Sequence, residues 1–102
     1  MNALANILLI VAVLALLADW RQTLRIFAPD SRWREINPAI NALVRRLGAP
    51  AGVHLWFGLV CIALGTAATL LPAEPRLVLA VAAAGIELYW VLHNLRLGIR
   101  IF

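Results

Sequence analysis

Residues 19–38 read DWRQTLRIFAPDSRWREINP and form the longest polar interval in a chain of 102 residues. Apolar residues make up 64% of the chain and charged residues 14%, against roughly 45–50% and 25% in soluble domains. A soluble chain of this length has too small an interior to bury that much apolar surface. The polar interval therefore connects segments whose solvent is lipid.

Apolar runs long enough to cross a membrane lie on both sides of this interval. The first begins at about residue 3 and can continue as a helix to about residue 27, because no proline precedes Pro29. The second covers about residues 53–71 and the third about residues 76–95. A hydrocarbon core about 30 Å thick needs roughly 20 helical residues, so each run predicts one span. We expect the first run to be retained, since no basic residue precedes it as in a cleaved signal peptide.

A short amphipathic helix is predicted between the first and second spans, at about residues 38–47. Asn37 is a favourable N-cap, and Pro38 suits the first helical position. This helix is too short to cross a membrane, so we expect it to lie in the interface. The predicted fold class is all-α: a single membrane domain, residues 1–102, that forms a three-helix bundle with one interfacial helix.

All nine basic residues are arginines, and they flank the apolar runs. This pattern is typical of membrane proteins and argues against a nucleic-acid partner. Six of the arginines lie in the segment that leads from the end of the first span to the start of the second, at positions 21, 25, 32, 34, 45 and 46. The positive-inside rule then predicts that this connection and the C-terminus are cytoplasmic and that the N-terminus is outside. The alanine-rich, lysine-free composition favours a bacterial inner membrane.

This topology brings polar side chains from distant segments to one end of the bundle. They are Asp19, Thr23, Glu35, Asn37, His54, Glu87, His93 and Asn94. A carboxyl group inside a span costs free energy unless it is protonated or paired, so Glu87 is a candidate catalytic residue. Asp19 and Glu35 are the other candidates for acid–base chemistry. In the alternative, structural interpretation, Glu87 bonds a neighbouring helix and Asp19 pairs with an arginine.

A metal site is a weaker hypothesis. His54 and His93 could join carboxylates around zinc or iron, but they lie in different segments and no HExxH-like motif is present. We therefore expect neither a metal nor another cofactor. A structural polar cluster is predicted instead, formed by Asp19, Thr23, Glu35, Asn37 and Asn94.

Three short motifs carry a resemblance. They are Asp19-Trp20-x-Gln22-Thr23, Glu35-Ile36-Asn37-Pro38 and Asn94-x-x-x-Gly98. Together they resemble a pattern in a group of small bacterial and phage-associated membrane proteins, and they extend over most of the chain. The resemblance implies three spans and a recurring polar set at positions 19, 23, 35, 37 and 94, without an activity. His54 and Cys61 lie outside the pattern, which weakens them as ligand candidates.

Three functions remain open from the sequence. The favoured hypothesis is a non-enzymatic accessory or assembly subunit of a membrane complex, because Gly58 and Gly65 suggest a face for close helix contact. The second is a membrane-embedded enzyme that acts on a lipid-like substrate at the cytoplasmic interface. The third is a holin-like or channel-forming oligomer, although no span has a polar stripe through its outer half. The expected partners are the lipid bilayer and either another membrane protein or further copies of the chain.

Overall fold

The computed structural model describes residues 2–29, 31 and 33–101. It contains four α-helices in this order: α1 (Asn2–Ile26), α2 (Pro38–Leu47), α3 (Ala51–Leu70) and α4 (Ala73–Arg96). Helices α1, α3 and α4 are long and apolar enough to cross a membrane, and the short α2 lies between the first two of them. The predicted all-α fold class is therefore confirmed for the described residues, with three helices able to cross a membrane and a short helix between the first two.

Helix α2 begins as the sequence predicts. Oδ1 of Asn37 accepts a hydrogen bond from the Ala39 N–H at 2.9 Å, and Pro38 occupies the first helical position. The helix ends before Gly48, whose φ of 79° lies in a region that glycine adopts without strain. The predicted N-cap at Asn37 is confirmed.

Helix α4 begins at Ala73, although the sequence predicts a start at about residue 76. Pro75 lies in its first turn, where a backbone N–H has no helical partner to lose. The Arg76 N–H donates to the Pro72 carbonyl oxygen at 2.9 Å, so the helix continues through the proline.

Helix α3 begins at Ala51 and includes Gly52, although glycine disfavours helices and the sequence predicts a start at about residue 53. A Cβ atom on Gly52 would lie 2.7 Å from backbone atoms of Leu43 and Val44. At Gly52 the backbones of α3 and α2 therefore come into close contact, which only a residue without a Cβ atom allows.

The most extensive helix contact joins α1 and α4, which run in parallel. Their buried apolar residues recur three, four or seven positions apart: Ala5, Ala12 and Ala15 on α1, and Ala80, Ala84 and Val91 on α4. Small alanines let the two backbones approach closely, as helices in lipid commonly do. Asp19 follows Ala12 by one heptad and Glu87 lies between Ala84 and Val91, so both acids belong to this α1–α4 seam.

Helix α3 packs against α1 and α2 more than against α4. The Trp20 ring stacks on Phe57 with centroids 5.6 Å apart. A buried cluster of Leu16, Ile40, Val53 and Phe57 joins the three helices. Helix α1 ends, α3 begins and α4 ends at the same end of the bundle, which we call the linker end. Because α3 and α4 have few contacts, a cleft separates them.

Candidate ligand-binding site

A cavity of about 250 Å³ lies at the linker end, between α1, α3, α4 and the connection before α2. Its polar lining comes from Asp19, Arg34, Glu35, Asn37, Glu87, His93 and Asn94. Its apolar and aromatic lining includes Trp56 and Val60 of α3 and Ile86 and Trp90 of α4. Apolar walls with a few convergent polar groups are typical of small-molecule sites.

Asp19 and Glu87 bring two carboxyl groups within hydrogen-bonding reach of each other across the α1–α4 seam. The Thr23 hydroxyl donates to the main-chain oxygen of Asp19 at 2.8 Å, with a longer contact of 3.4 Å to Asp19 Oδ1. Oε2 of Glu87 is buried and accepts no hydrogen bond from the described residues. Because ionised carboxylates only accept, this pair requires a proton or an external donor.

Glu35 enters the cavity from the connection between α1 and α2. Its Oε1 accepts the Asn37 N–H at 2.9 Å, and its main-chain oxygen accepts from Asn41 Nδ2 at 2.6 Å. Burial raises the pKa of the Glu35 carboxyl above its ordinary value, the Asn37 N–H lowers that pKa, and the nearby Asp19 carboxyl raises it. The two asparagines therefore hold a third carboxyl group close to Asp19.

These three carboxyl groups have no cationic partner within residues 2–29, 31 and 33–101. They interact with one another, with the Thr23 hydroxyl and with backbone N–H groups, and none forms an ion pair with arginine or histidine. For the structural interpretation in which Asp19 pairs with an arginine, the described residues contain no such pair, and Arg32 lies outside them. The partner of Asp19 is Glu87.

Asn94 lines the cavity but has a structural role. Its Nδ2 donates to Oε1 of Gln22 at 3.2 Å, and Nε2 of Gln22 donates to the main-chain oxygens of Val91 at 3.3 Å and Ile99 at 3.2 Å. Gly98, with φ of 87°, ends α4, and the Ile99 N–H returns to the Asn94 carbonyl oxygen at 3.0 Å. This Schellman-type turn tucks Ile99 beneath the bundle.

Gln22 and Ile99 are buried residues that the sequence analysis did not assign to the site. The sequence could have indicated Gln22, because it lies three positions after Asp19 and so continues the spacing of the residues in the α1–α4 seam. Ile99 had no comparable signal, since its position depends on the chain reversal at Gly98.

The two histidines lie in different surroundings. His93 lines the cavity and stacks on Tyr89, with centroids 6.1 Å apart and planes 10° from parallel. His54 is outside the cavity lining, and its Nδ1 accepts a hydrogen bond from Trp20 Nε1 at 3.0 Å. In the part of the chain that the structure describes, no three histidine, cysteine or acidic side chains are grouped to hold a metal ion.

Six of the eight polar residues expected at one end of the bundle therefore line one cavity: Asp19, Glu35, Asn37, Glu87, His93 and Asn94. Thr23 lies beside Asp19, and His54 alone is directed elsewhere. Comparison of the chain with protein-family models, curated proteins and solved structures gives no match. The geometry of the cavity is thus the basis for assigning a function.

Proposed function

We propose that the protein binds a lipid-like molecule whose head group is cationic or rich in hydrogen-bond donors. The observation that carries this proposal is the cavity lining, in which three carboxyl groups lack an arginine partner among the described residues. Carboxyl groups removed from water are costly unless they are hydrogen-bonded or paired with a cation. An ammonium or hydroxyl-rich head group would donate to Glu87 Oε2, which has no hydrogen-bond partner among the described residues, and an ammonium would supply the positive charge that the three carboxyl groups lack there.

The size of the cavity indicates which part of the ligand it holds. A volume of about 250 Å³ is below the roughly 300–1,000 Å³ of sites that enclose a whole drug-sized molecule. It is suited to a head group. Alkyl chains would then run along the cleft between α3 and α4, past Trp56 and Trp90, into the surrounding lipid.

The distribution of arginines supports a cytoplasmic linker end and an outside N-terminus in a bacterial inner membrane. Six of the nine arginines lie between the last two turns of α1 and the end of α2, and two more lie at the end of α4 and in the tail, whereas Arg76 alone lies near the opposite end. Arg32, one of those counted, lies outside the described residues. Green fluorescent protein fused after Phe102 should fluoresce in cells, since it matures in the cytoplasm. Activity of alkaline phosphatase at the same position would overturn this orientation.

Thermal unfolding in a neutral detergent tests ligand binding. The probes are dodecylamine, N-dodecylacetamide and dodecanoic acid, which share a chain length and differ in head-group charge. We expect only the amine to raise the Tm, with a stabilisation of about 2.7 kcal/mol at one hundred times its Kd. Equal shifts with all three probes would contradict the proposal.

Two variants and one matched control assign the binding to the cavity. D19N and E87Q should lose most of the amine-dependent shift in Tm. E74Q removes an exposed carboxyl group at the other end of α4 and should keep the whole shift. An unchanged shift in E87Q would place amine binding elsewhere. Product analysis by mass spectrometry in the same samples would reveal turnover, the outcome that the enzyme hypothesis requires.

A second candidate function, that of an accessory subunit, is favoured by the glycines of α3. A Cβ atom added to Gly58 or Gly65 would meet nothing within 4 Å, so no other part of the described chain uses this small-residue face. G58L and G65L should leave the fold intact and disrupt a complex that uses the face. Native electrophoresis in mild detergent tests this, and a wild-type protein that migrates as a lone monomer would count against it.

A further inference from the structure

A second groove, of about 280 Å³, lies on a different face of α1 from the carboxyl groups. Its lining consists of Arg21, Leu24, Arg25, Ala28 and Ile101. Arg21, Leu24 and Arg25 follow the spacing i, i+3, i+4 and share one face at the end of α1, and Ala28 lies in the turn that follows the helix. The groove thus combines two guanidinium groups with three apolar side chains.

The positions of the two arginines suit a single anion. Nε of Arg21 donates to the main-chain oxygen of Ile101 at 2.9 Å, which fixes this side chain along the groove. Arg25 is partly buried and forms no hydrogen bond or ion pair with the described residues. Residues four apart on a helix have Cβ atoms about 5–6 Å apart, so both guanidinium groups can reach one phosphate.

The depth of the groove indicates where that phosphate comes from. The apolar segment of α1 ends at Ile26, so the groove lies where a span leaves the hydrocarbon core. Lipid phosphates occupy this level, and Leu24, Ala28 and Ile101 provide apolar surface for the adjoining chains. We propose that Arg21 and Arg25 form a binding site for the phosphate of an anionic phospholipid, independent of the carboxyl-lined cavity.

Native mass spectrometry of the whole protein tests this site. Samples in mild detergent are mixed with phosphatidylglycerol or phosphatidylcholine, and the retained lipid is counted. The wild type should retain phosphatidylglycerol preferentially, and R25Q should bind it about fivefold more weakly, the effect of one cation near a lipid surface. R25K should bind it better than R25Q, because the charge remains while the planar fork is lost. Unchanged retention in R25Q would overturn the proposal.

A matched double variant separates a site from general attraction. R21Q/R25Q and R45Q/R46Q each remove two positive charges, the second pair from the exposed last turn of α2. Only R21Q/R25Q should lose phosphatidylglycerol selectively, and equal losses would overturn the site. Arg21 also holds the C-terminal tail through its hydrogen bond to the Ile101 oxygen, whereas Arg25 has no bond to that oxygen. A loss of lipid binding in R25Q therefore cannot result from release of the tail.

Two further measurements distinguish the alternatives. Excess inorganic phosphate should leave the bound phosphatidylglycerol in place, whereas displacement would show a soluble-phosphate site instead. The dodecylamine shift in Tm should be the same in R25Q and wild type, because the groove and the cavity lie on different faces of α1. Loss of that shift in R25Q would contradict the independence of the two sites.

Discussion

Nε2 of Gln22 donates a hydrogen bond to the main-chain oxygen of Ile99 at 3.2 Å, so a buried side chain of α1 holds the tail that follows α4. The same nitrogen donates to the Val91 oxygen, and Oε1 accepts from Asn94. Gln22 is therefore satisfied within the protein, as a polar group away from water must be. The neighbouring carboxyl group of Glu87 differs, because its buried Oε2 accepts no hydrogen bond from the described residues.

Substitution of Gln22 by leucine should lower the free energy of unfolding by about 1–3 kcal/mol, because buried partners lose their hydrogen bonds. Unfolding in a denaturing detergent, followed by circular dichroism, measures the change. T69A removes an exposed hydrogen bond to the Thr66 oxygen and serves as the control. Equal stability of Q22L and T69A would show that the network contributes little.

Gly52→Ala should destabilise the contact between α2 and α3. The added Cβ would lie 2.7–2.8 Å from the backbone of Leu43 and Val44, which cannot rotate away as a side chain could. We expect a loss of about 1–3 kcal/mol from this overpacking. Gly65→Ala is the matched control, because its Cβ meets nothing within 4 Å and alanine is the better helix former. Equal melting temperatures of the two variants would contradict the close approach at Gly52.

Glu35 should make stability depend on pH. Its pKa is raised in the folded state, so the protonated form is favoured there. The contribution is complete below the ordinary pKa of 4.5 and is lost as the pH rises through the higher, folded-state pKa. Melting temperatures across this range should fall less in E35Q than in the wild type. E74Q, which removes an exposed acid, should keep the wild-type slope, and a wild-type slope in E35Q would exclude Glu35 as a contributor.

Glu87→Gln should stabilise the protein while it weakens amine binding. The amide nitrogen can donate to Asp19, whereas two carboxyl groups can bond only by sharing a proton. We expect a gain of about 1 kcal/mol at neutral pH, the value of a typical net hydrogen bond. Chemical unfolding measures the gain, and E74Q should differ from the wild type by no more than about 0.5 kcal/mol. Destabilisation by E87Q would indicate that the carboxyl pair itself holds the seam together.

The helices were predictable because their signals are local. The lengths of the apolar runs indicate the three long helices, and Asn37 and Pro38 indicate the start of α2. Only the starts of α3 and α4 were predicted at the wrong residues. The pairing of α1 with α4 was not predictable from hydropathy, since lipid-facing and protein-facing positions are both apolar. Helix contact here uses alanines such as Ala12 and Ala80, while many larger side chains face outward. Residue size, not hydrophobicity, distinguishes the inner face.

The position of each site residue along its helix was predictable from the sequence, but the side of the helix that it occupies was not. Counting residues along each span places Asp19, Glu87 and His54 near the same end of the bundle. Their direction around each helix depends on packing, which brings Glu87 to Asp19 and places Trp20 against His54. The absence of an arginine partner in the described cavity likewise required the positions of all neighbouring side chains.

The parallel contact of α1 with α4 has a consequence for biosynthesis. Two other helices separate these partners in the sequence, so α1 enters the bilayer before Asp19 and Gln22 can form their contacts with α4 and the tail. Their internal partners, Glu87, Val91, Asn94 and Ile99, are all synthesised later. The nascent protein therefore passes through a stage in which α1 needs water, lipid head groups or an insertion factor around its polar end. Closure of the bundle is a late, post-insertion step.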